Sequence, residues 1–259
     1  MKTTTFLLFI LINAILFAQN KNPESTELYS PVPPIVTPGE GNKPPSDAIV
    51  LFDGSNCDQW ENAKGNSIEW VLADGCMKVK PFTGDIRTKR GFGDCQLHIE
   101  WLCPSGPVEK NVLFNEAQRK EQGFGNSGVF FQGKYELQIF DSYNYPLYHN
   151  DKPIYTNGQA GSIYKQVIPL VNACKKPGEW QSFDVIFMSP RFSENGRVAI
   201  PGRITVLQNG VLVLNNFEIQ GEIKYIGAPE YKAHNLKEPI MLQDHGDEVS
   251  FRNIWIREL

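Results

Sequence analysis

The chain has 259 residues, 41% of them hydrophobic and 12% aromatic, and a formal net charge of −4. That is enough apolar material for one large core, and all-β sandwiches of this size commonly stay undivided. With no broad basic field, nucleic acid is excluded as an expected partner.

At the N-terminus, Lys2 precedes an apolar run over residues 6–17, which ends at a small-residue site near Ala18-Gln19. This is the plan of a secretory signal peptide spanning residues 1–19, and the run is too short for a comfortable membrane span. Neither a lipid-accepting cysteine at the cleavage site nor a later run of spanning length follows. The expectation is export to the periplasm or beyond, as a soluble mature protein with no membrane span. Residues 20–46 include YSPVPPIVTPGEGNKPP, rich in proline and glycine and without periodicity, which predicts an extended linker. The folded domain is expected over residues 47–259.

Five cysteines survive cleavage: Cys57, Cys76, Cys95, Cys103 and Cys174. An odd count leaves at least one unpaired in a monomer; buried thiols or a single bridge account for the rest, and the spacing matches no zinc motif.

Within the domain, AIVLFDGSNCDQW runs as a strand into a turn at Asp53-Gly54-Ser55, and Asp74-Gly75 predicts a hairpin. CQLHIEWL is the clearest strand: Leu97, Ile99 and Trp101 alternate with Gln96, His98 and Glu100. That polar side reads either as a solvated sheet face or as Glu100 turned toward a groove. Residues 104–123 make a long connection with a helical turn predicted at NEAQRKEQ.

GNSGVFFQGKYELQIFDSY, residues 125–143, reads as a tight hairpin cornered at Gly133-Lys134. In its second strand Tyr135, Leu137 and Ile139 share one face and Glu136 and Gln138 the other. A half-buried antiparallel sheet shows a polar face to water in any case, so pattern alone leaves a ligand face and a solvated face equally open. The following loop, YNYPLYHNDKPIYTN, offers tyrosines either for stacking on sugar rings or for packing the loop. FDVIFMS, the Asn209-Gly210 hairpin and SFRNIWIREL complete a series of short strands with no long amphipathic helix. The expected fold is an all-β sandwich.

No G-x-S-x-G elbow, Gly-rich phosphate loop or H-E-x-x-H motif is present. Glu100, Glu136, Gln138, Asp141, Gln243, Asp244 and His245 remain as polar groups near strand ends, suited to acid–base chemistry or to carbohydrate binding. Glycosidases set two carboxyls about 5–5.5 Å or 6.5–9.5 Å apart. Two residues after Glu136 stands the amide Gln138, which counts against that arrangement on this strand.

Taken together, LFDGSNCDQW, GDIRTKRGFGDCQLHIEW, GNSGVFFQGKYELQIFDSY, GQAGSIYKQVIPLVNACKKPGEWQSFDVIF, NGVLVLNN and PIMLQDHGDEVSFRNIWIREL resemble the exported bacterial 3-keto-disaccharide hydrolase family, also described as 3-keto-glucoside 1,2-lyase/3-keto-2-hydroxy-glucal hydratase. The resemblance spans residues 47–259 and implies a concanavalin A-like jelly-roll β-sandwich. It also implies cleavage of a sugar already oxidised at C3 by a separate 3-oxidoreductase: C2 proton abstraction, loss of the C1 aglycone, and rehydration for net hydrolysis. On that reading Glu136 or Asp141 is the base and His245 the acid or enolate stabiliser. Arg87, Glu100, Asn126, Gln138 and Gln243 would orient the sugar, with Tyr143 and Trp180 as walls. Structural readings stand beside these: Asp141 capping a turn, Trp180 in the core, and Asp244-His245-Gly246 as a strand-end turn. A divalent metal could stabilise the enolate, although no ligand spacing defines one, and no cofactor is certain. A non-catalytic carbohydrate-binding sandwich and a conventional glycosidase are the competing readings.

Overall fold

The computed structural model describes residues 23–41, 43–105, 125–143, 148–149, 152–153 and 155–259. The segment expected to be a signal peptide, the predicted NEAQRKEQ turn and most of the aromatic loop after Tyr143 lie outside the described residues. The chain divides into two units, Met1–Val36 and Thr37–Leu259. In the first, a 3-10 turn at Pro23–Thr26 leads into extended chain on which Leu28, Val32 and Ile35 stand exposed.

The second unit begins with strands β1 Ile49–Phe52, β2 Trp60–Asn62, β3 Val71–Ala73, β4 Cys76–Lys78, β5 Ile86–Phe92, β6 Cys95–Leu102, β7 Ser127–Phe131 and β8 Tyr135–Ile139. It continues with β9 Tyr148–His149, β10 Lys152–Pro153, β11 Gln181–Met188, β12 Arg191–Phe192, β13 Val198–Ile200, β14 Arg203–Gln208, β15 Val211–Glu218, β16 Glu238–Leu242 and β17 Ser250–Glu258. Two antiparallel sheets carry the fold. One is eight-stranded, in the order β15-β14-β11-β6-β17-β4-β3 with β1 also on β17; the other is five-stranded, in the order β2-β5-β16-β7-β8. Two hairpins, β9-β10 and β12-β13, stand apart from them. This is the expected all-β jelly-roll sandwich.

Alternation sets the core. Leu97, Ile99 and Trp101 of β6 face Tyr135, Leu137 and Ile139 of β8 and their neighbours across the interior, all of them buried. Phe131 and Phe187 stack between the sheets at 4.7 Å. Asp74-Gly75 and Asn209-Gly210 close their hairpins with both residues at positive φ, between 52° and 79°, the twist that two-residue hairpin corners require. All five cysteines are free thiols; burial pushes the Cys95 thiol up to about 12, so it packs as a small apolar side chain.

The central hairpin differs in one detail from the sequence expectation. Phe131 pairs with Tyr135, so residues 132–134 form a three-residue corner. Gln132 takes φ 56° and Gly133 φ 65°. The Gln132 amide is buried, and its Nε2 donates to Ser189 Oγ at 2.7 Å and to Leu236 O at 2.6 Å.

Candidate active site

The five-stranded sheet presents its side chains in rows, because directly opposed residues of antiparallel strands share a face. Ile86, Leu242, Val129, Leu137 and Ile163 form one row, turned into the core. The rows on either side of it therefore point outward. One consists of Glu61, Arg87, Met241, Phe130 and Glu136, extended by Tyr164, whose N–H donates to Glu136 O at 3.2 Å. The other runs from Asp85 through Gln243 and Gly128 to Gln138 and Ser162, with Gln243 N donating to Gly128 O at 3.1 Å and Gln138 N to Ser162 O at 2.9 Å.

Glu136 is the centre of this outer face. Its side chain leans along the strand over Gly128: a Cβ on that glycine would stand 2.6 Å from Glu136 Oε1 and 2.9 Å from its Cγ. Glycine inside a strand here makes room for a close approach. Glu136 is only 4% exposed. Burial, and secondarily the charge of Asp85, push its carboxyl up to about 8. Burial raises the Asp85 carboxyl too, countered by the Asp244 N–H that Asp85 Oδ1 accepts at 2.8 Å.

A chain of amides joins this face to His245. Gln138 Nε2 donates to Asn126 Oδ1 at 2.9 Å, and Asn126 Nδ2 lies 3.3 Å from His245 Nδ1. The backbone of Asn126 is anchored by Asp247, whose Oδ2 accepts the N–H groups of Asn126 at 2.9 Å and Gly125 at 3.2 Å. Asp244 closes the strand-end turn with its two oxygens, accepting from Gly84 N at 2.9 Å and Gly246 N at 3.0 Å. Two buried polar oxygens on this face, Gln243 Oε1 and Ser162 Oγ, have no hydrogen-bond partner among the described residues. Beside Glu136, Tyr164 and Tyr155 share a hydroxyl contact of 3.1 Å, and Lys165 Nζ sits 4.2 Å from the Tyr225 ring centroid.

The structure thus brings together Glu136, Gln138, Asn126, Gln243 and His245, with Arg87 farther along the outer row and paired to Glu61 at 2.9 Å. It does not bring Glu100 or Trp180 to them. Glu100 has the opposite parity to the core residues of β6, so it lies on the outer face of the eight-stranded sheet, with both sheets between it and Glu136. There it accepts from Arg252 Nε at 2.6 Å and Asn253 Nδ2 at 2.9 Å. Trp180 is stacked beneath the same Arg252, 4.1 Å away, and is only half-buried rather than a core residue. A cavity of about 350 Å³ bordered by Lys43, Asp53, Arg252 and Asn253 opens on that side, apart from the Glu136 cluster. Asp141 lies beyond the end of β8, where its Oδ1 accepts Tyr143 N at 3.2 Å as a turn cap. Burial raises its carboxyl as well, and its charge is felt by Cys103 and Cys174. Tyr143 is 40% exposed, with Lys176 Nζ 5.9 Å from its ring centroid.

Among the described residues no group of three or more His, Cys, Asp or Glu side chains is disposed to hold a metal ion. No helix there is long and apolar enough to cross a membrane. Four contributors escaped the sequence reading as site residues. Asp85 had a usable signal, sharing strand parity with Arg87, and Gly128 had one as a glycine inside a strand. Tyr164 and Asp247 reach the site through long-range pairing that no local pattern encodes.

The fold is a jelly-roll sandwich whose five-stranded sheet carries a buried carboxyl and an amide chain on its outer face, with His245 at the exposed strand-end turn beside them. The chain belongs to the family of 3-keto-alpha-glucoside-1,2-lyase-like domains, whose model matches residues 47–257. It is 24% identical over 229 residues to a 3-keto-disaccharide hydrolase of Bacteroides thetaiotaomicron, covering 82% of this chain and 78% of that protein. A crystal structure from Parabacteroides distasonis, classed by name with the glycosyl hydrolases, is 46% identical with a TM-score of 0.81, covering 92% of this chain and 97% of that one. A second from the same organism, 21% identical with a TM-score of 0.59, covers 82% and 94% and shows the shared fold.

Proposed function

We propose that this chain is a glycoside-acting enzyme that cleaves 3-keto-glycosides by 1,2-elimination. The observation that carries the reading is Glu136: a single buried carboxyl, raised to about 8, on a polar face whose next position along the strand, Gln138, is an amide. A C3 ketone makes the C2 proton acidic, and Glu136 as carboxylate takes it. The C2–H electrons enter the enolate and return to form the C1–C2 double bond as the C1–oxygen bond breaks. The departing aglycone oxygen takes a proton from the now-protonated Glu136 or from water. Water then adds back across the double bond, oxygen to C1 and hydrogen to C2, for net hydrolysis. His245 serves as acid or enolate stabiliser, and Arg87 and Gln243 orient the sugar. An oxidoreductase acting at C3 must supply the substrate, and the N-terminal segment directs the protein out of the cytoplasm.

Because the base must be ionised, kcat/KM for aglycone release should rise about tenfold per pH unit below about 8 and level off above it. Glu136→Gln should lower kcat by about 10²–10⁴-fold on a 3-keto-glucoside while sugar binding survives. Undiminished turnover in that variant sinks the assignment. Conventional hydrolysis is the second reading, favoured by the electrostatic coupling of Glu136 to Asp85; it requires cleavage of the unoxidised glucoside, which elimination does not permit.

A further inference from the structure

The amide chain leading to His245 has only one self-consistent polarity. Backbone carbonyls accept and never donate. The carbonyls of Ser127 and Ile139 lie 3.1 Å and 2.8 Å from one end of the Gln138 side chain, so that end is the NH₂ group. The same NH₂ faces Asn126 at 2.9 Å, so Asn126 must turn its Oδ1 toward it. The Asn126 NH₂ is then left facing His245 Nδ1 at 3.3 Å. An amide NH₂ can only donate, so Nδ1 must present its lone pair, and the ring N–H is the one at Nε2. A proton on Nδ1 would set donor against donor. Asp247 anchors the backbone that carries Asn126, and the Gln138 contact at 2.9 Å orients its amide.

We propose that Gln138 and Asn126 are positioning residues that turn the lone pair of His245 Nδ1 toward Asn126 and so present Nε2–H as the hydrogen-bond donor to a developing enolate oxygen. The use of that proton rests on the elimination reading above; its location does not. Gln138, expected from the sequence to touch the sugar, acts instead through the histidine.

Long-range ¹H–¹⁵N correlation on uniformly ¹⁵N-labelled whole chain tests this, with the His245 signals identified by their loss in His245→Gln. The wild type should show a bare Nδ1 and a protonated Nε2. Asn126→Asp replaces the donor by an acceptor of the same size and should move the proton onto Nδ1, with kcat for 3-keto-glucoside cleavage falling about 10²-fold, the size expected for a lost oxyanion donor. A protonated Nδ1 in the wild type, or a pattern unchanged by Asn126→Asp in a cooperatively unfolding variant, overturns the proposal. Should that variant not fold, Asn126→Leu, which removes the donor without supplying an acceptor, takes its place: Nδ1 should then lose its preference as acceptor, and an unchanged pattern overturns the proposal. If the wild-type tautomer is as stated but the protein releases no aglycone, the elimination reading fails and the tautomer assignment stands.

Discussion

Glu136 costs the fold stability, and the sign of that cost can be measured. Its ordinary carboxyl value of 4.5 is raised to about 8 in the folded chain. Between those values the folded state binds more protons than the unfolded one, so stability falls as pH rises through the window. Glu136→Gln removes the buried charge and keeps the shape. Its stability relative to wild type should therefore climb from about pH 5 to about pH 8 and level off above, by at most a few kcal/mol at about 1.4 kcal/mol per unit. Urea denaturation across that range checks this, and a flat difference would mean that the carboxyl is not desolvated. Gly128 is the companion residue. Gly128→Ala places a methyl group 2.6 Å from Glu136 Oε1 and 2.8 Å from Phe130 Cε2, so the carboxyl must shift. A misplacement on the order of 1 Å can cost about 10²-fold in rate. Single-turnover aglycone release should show that loss in a protein that still unfolds cooperatively.

Two elements hold the site in place. The β7-β8 hairpin supplies Gly128, Glu136 and Gln138, and its register follows from the alternation of Tyr135, Leu137 and Ile139, which is legible in the sequence. Its edge is covered by residues 160–164, which pair with β8 through Gly161 N to Gln138 O at 3.0 Å and the Leu137–Ile163 bridge. That cover was not legible, because GQAGSIYKQ carries no strand alternation and its pairing is decided by the edge it meets. The β16-β17 connection supplies His245 and Asp247. Asp247→Ala strips the acceptor from the N–H groups of Gly125 and Asn126, which should cost about 1–3 kcal/mol and loosen the His245 amide contact. Lower thermal stability together with a reduced kcat is the expected pair of results. A stable variant of full activity would show that the tether is dispensable.

At the scale of the molecule, the sandwich separates two polar clusters that strand patterning alone does not tell apart. On the outer face of the eight-stranded sheet, His98 Nδ1 meets Asp184 Oδ1 at 2.6 Å and its ring stacks on Trp255 at 5.2 Å. Asn253, at φ 46° in a β17 irregularity, joins Glu100 to His98. Glu100→Gln should therefore leave kcat/KM for 3-keto-glycoside cleavage at its wild-type value. It should lower stability by on the order of 1–2 kcal/mol through the weakened charge-assisted hydrogen bond to Arg252. Thermal unfolding and steady-state kinetics on the same preparation separate the two effects. A tenfold loss of kcat/KM without destabilisation would place Glu100 at the substrate.

Local chemistry by itself determined the strand alternation, the hairpin corners at Asp74-Gly75 and Asn209-Gly210, the sandwich class, and Glu136 and His245 as residues worth following. These rest on period-two patterning and turn conformations, which act over a few residues. Whether Glu100 and Glu136 share a face depends on which sheet each strand joins, and that is a long-range outcome of core packing. The raised carboxyl of Glu136 likewise required the fold, since burial and the approach of Asp85 from three strands away exist only once β5, β16, β7 and β8 lie side by side.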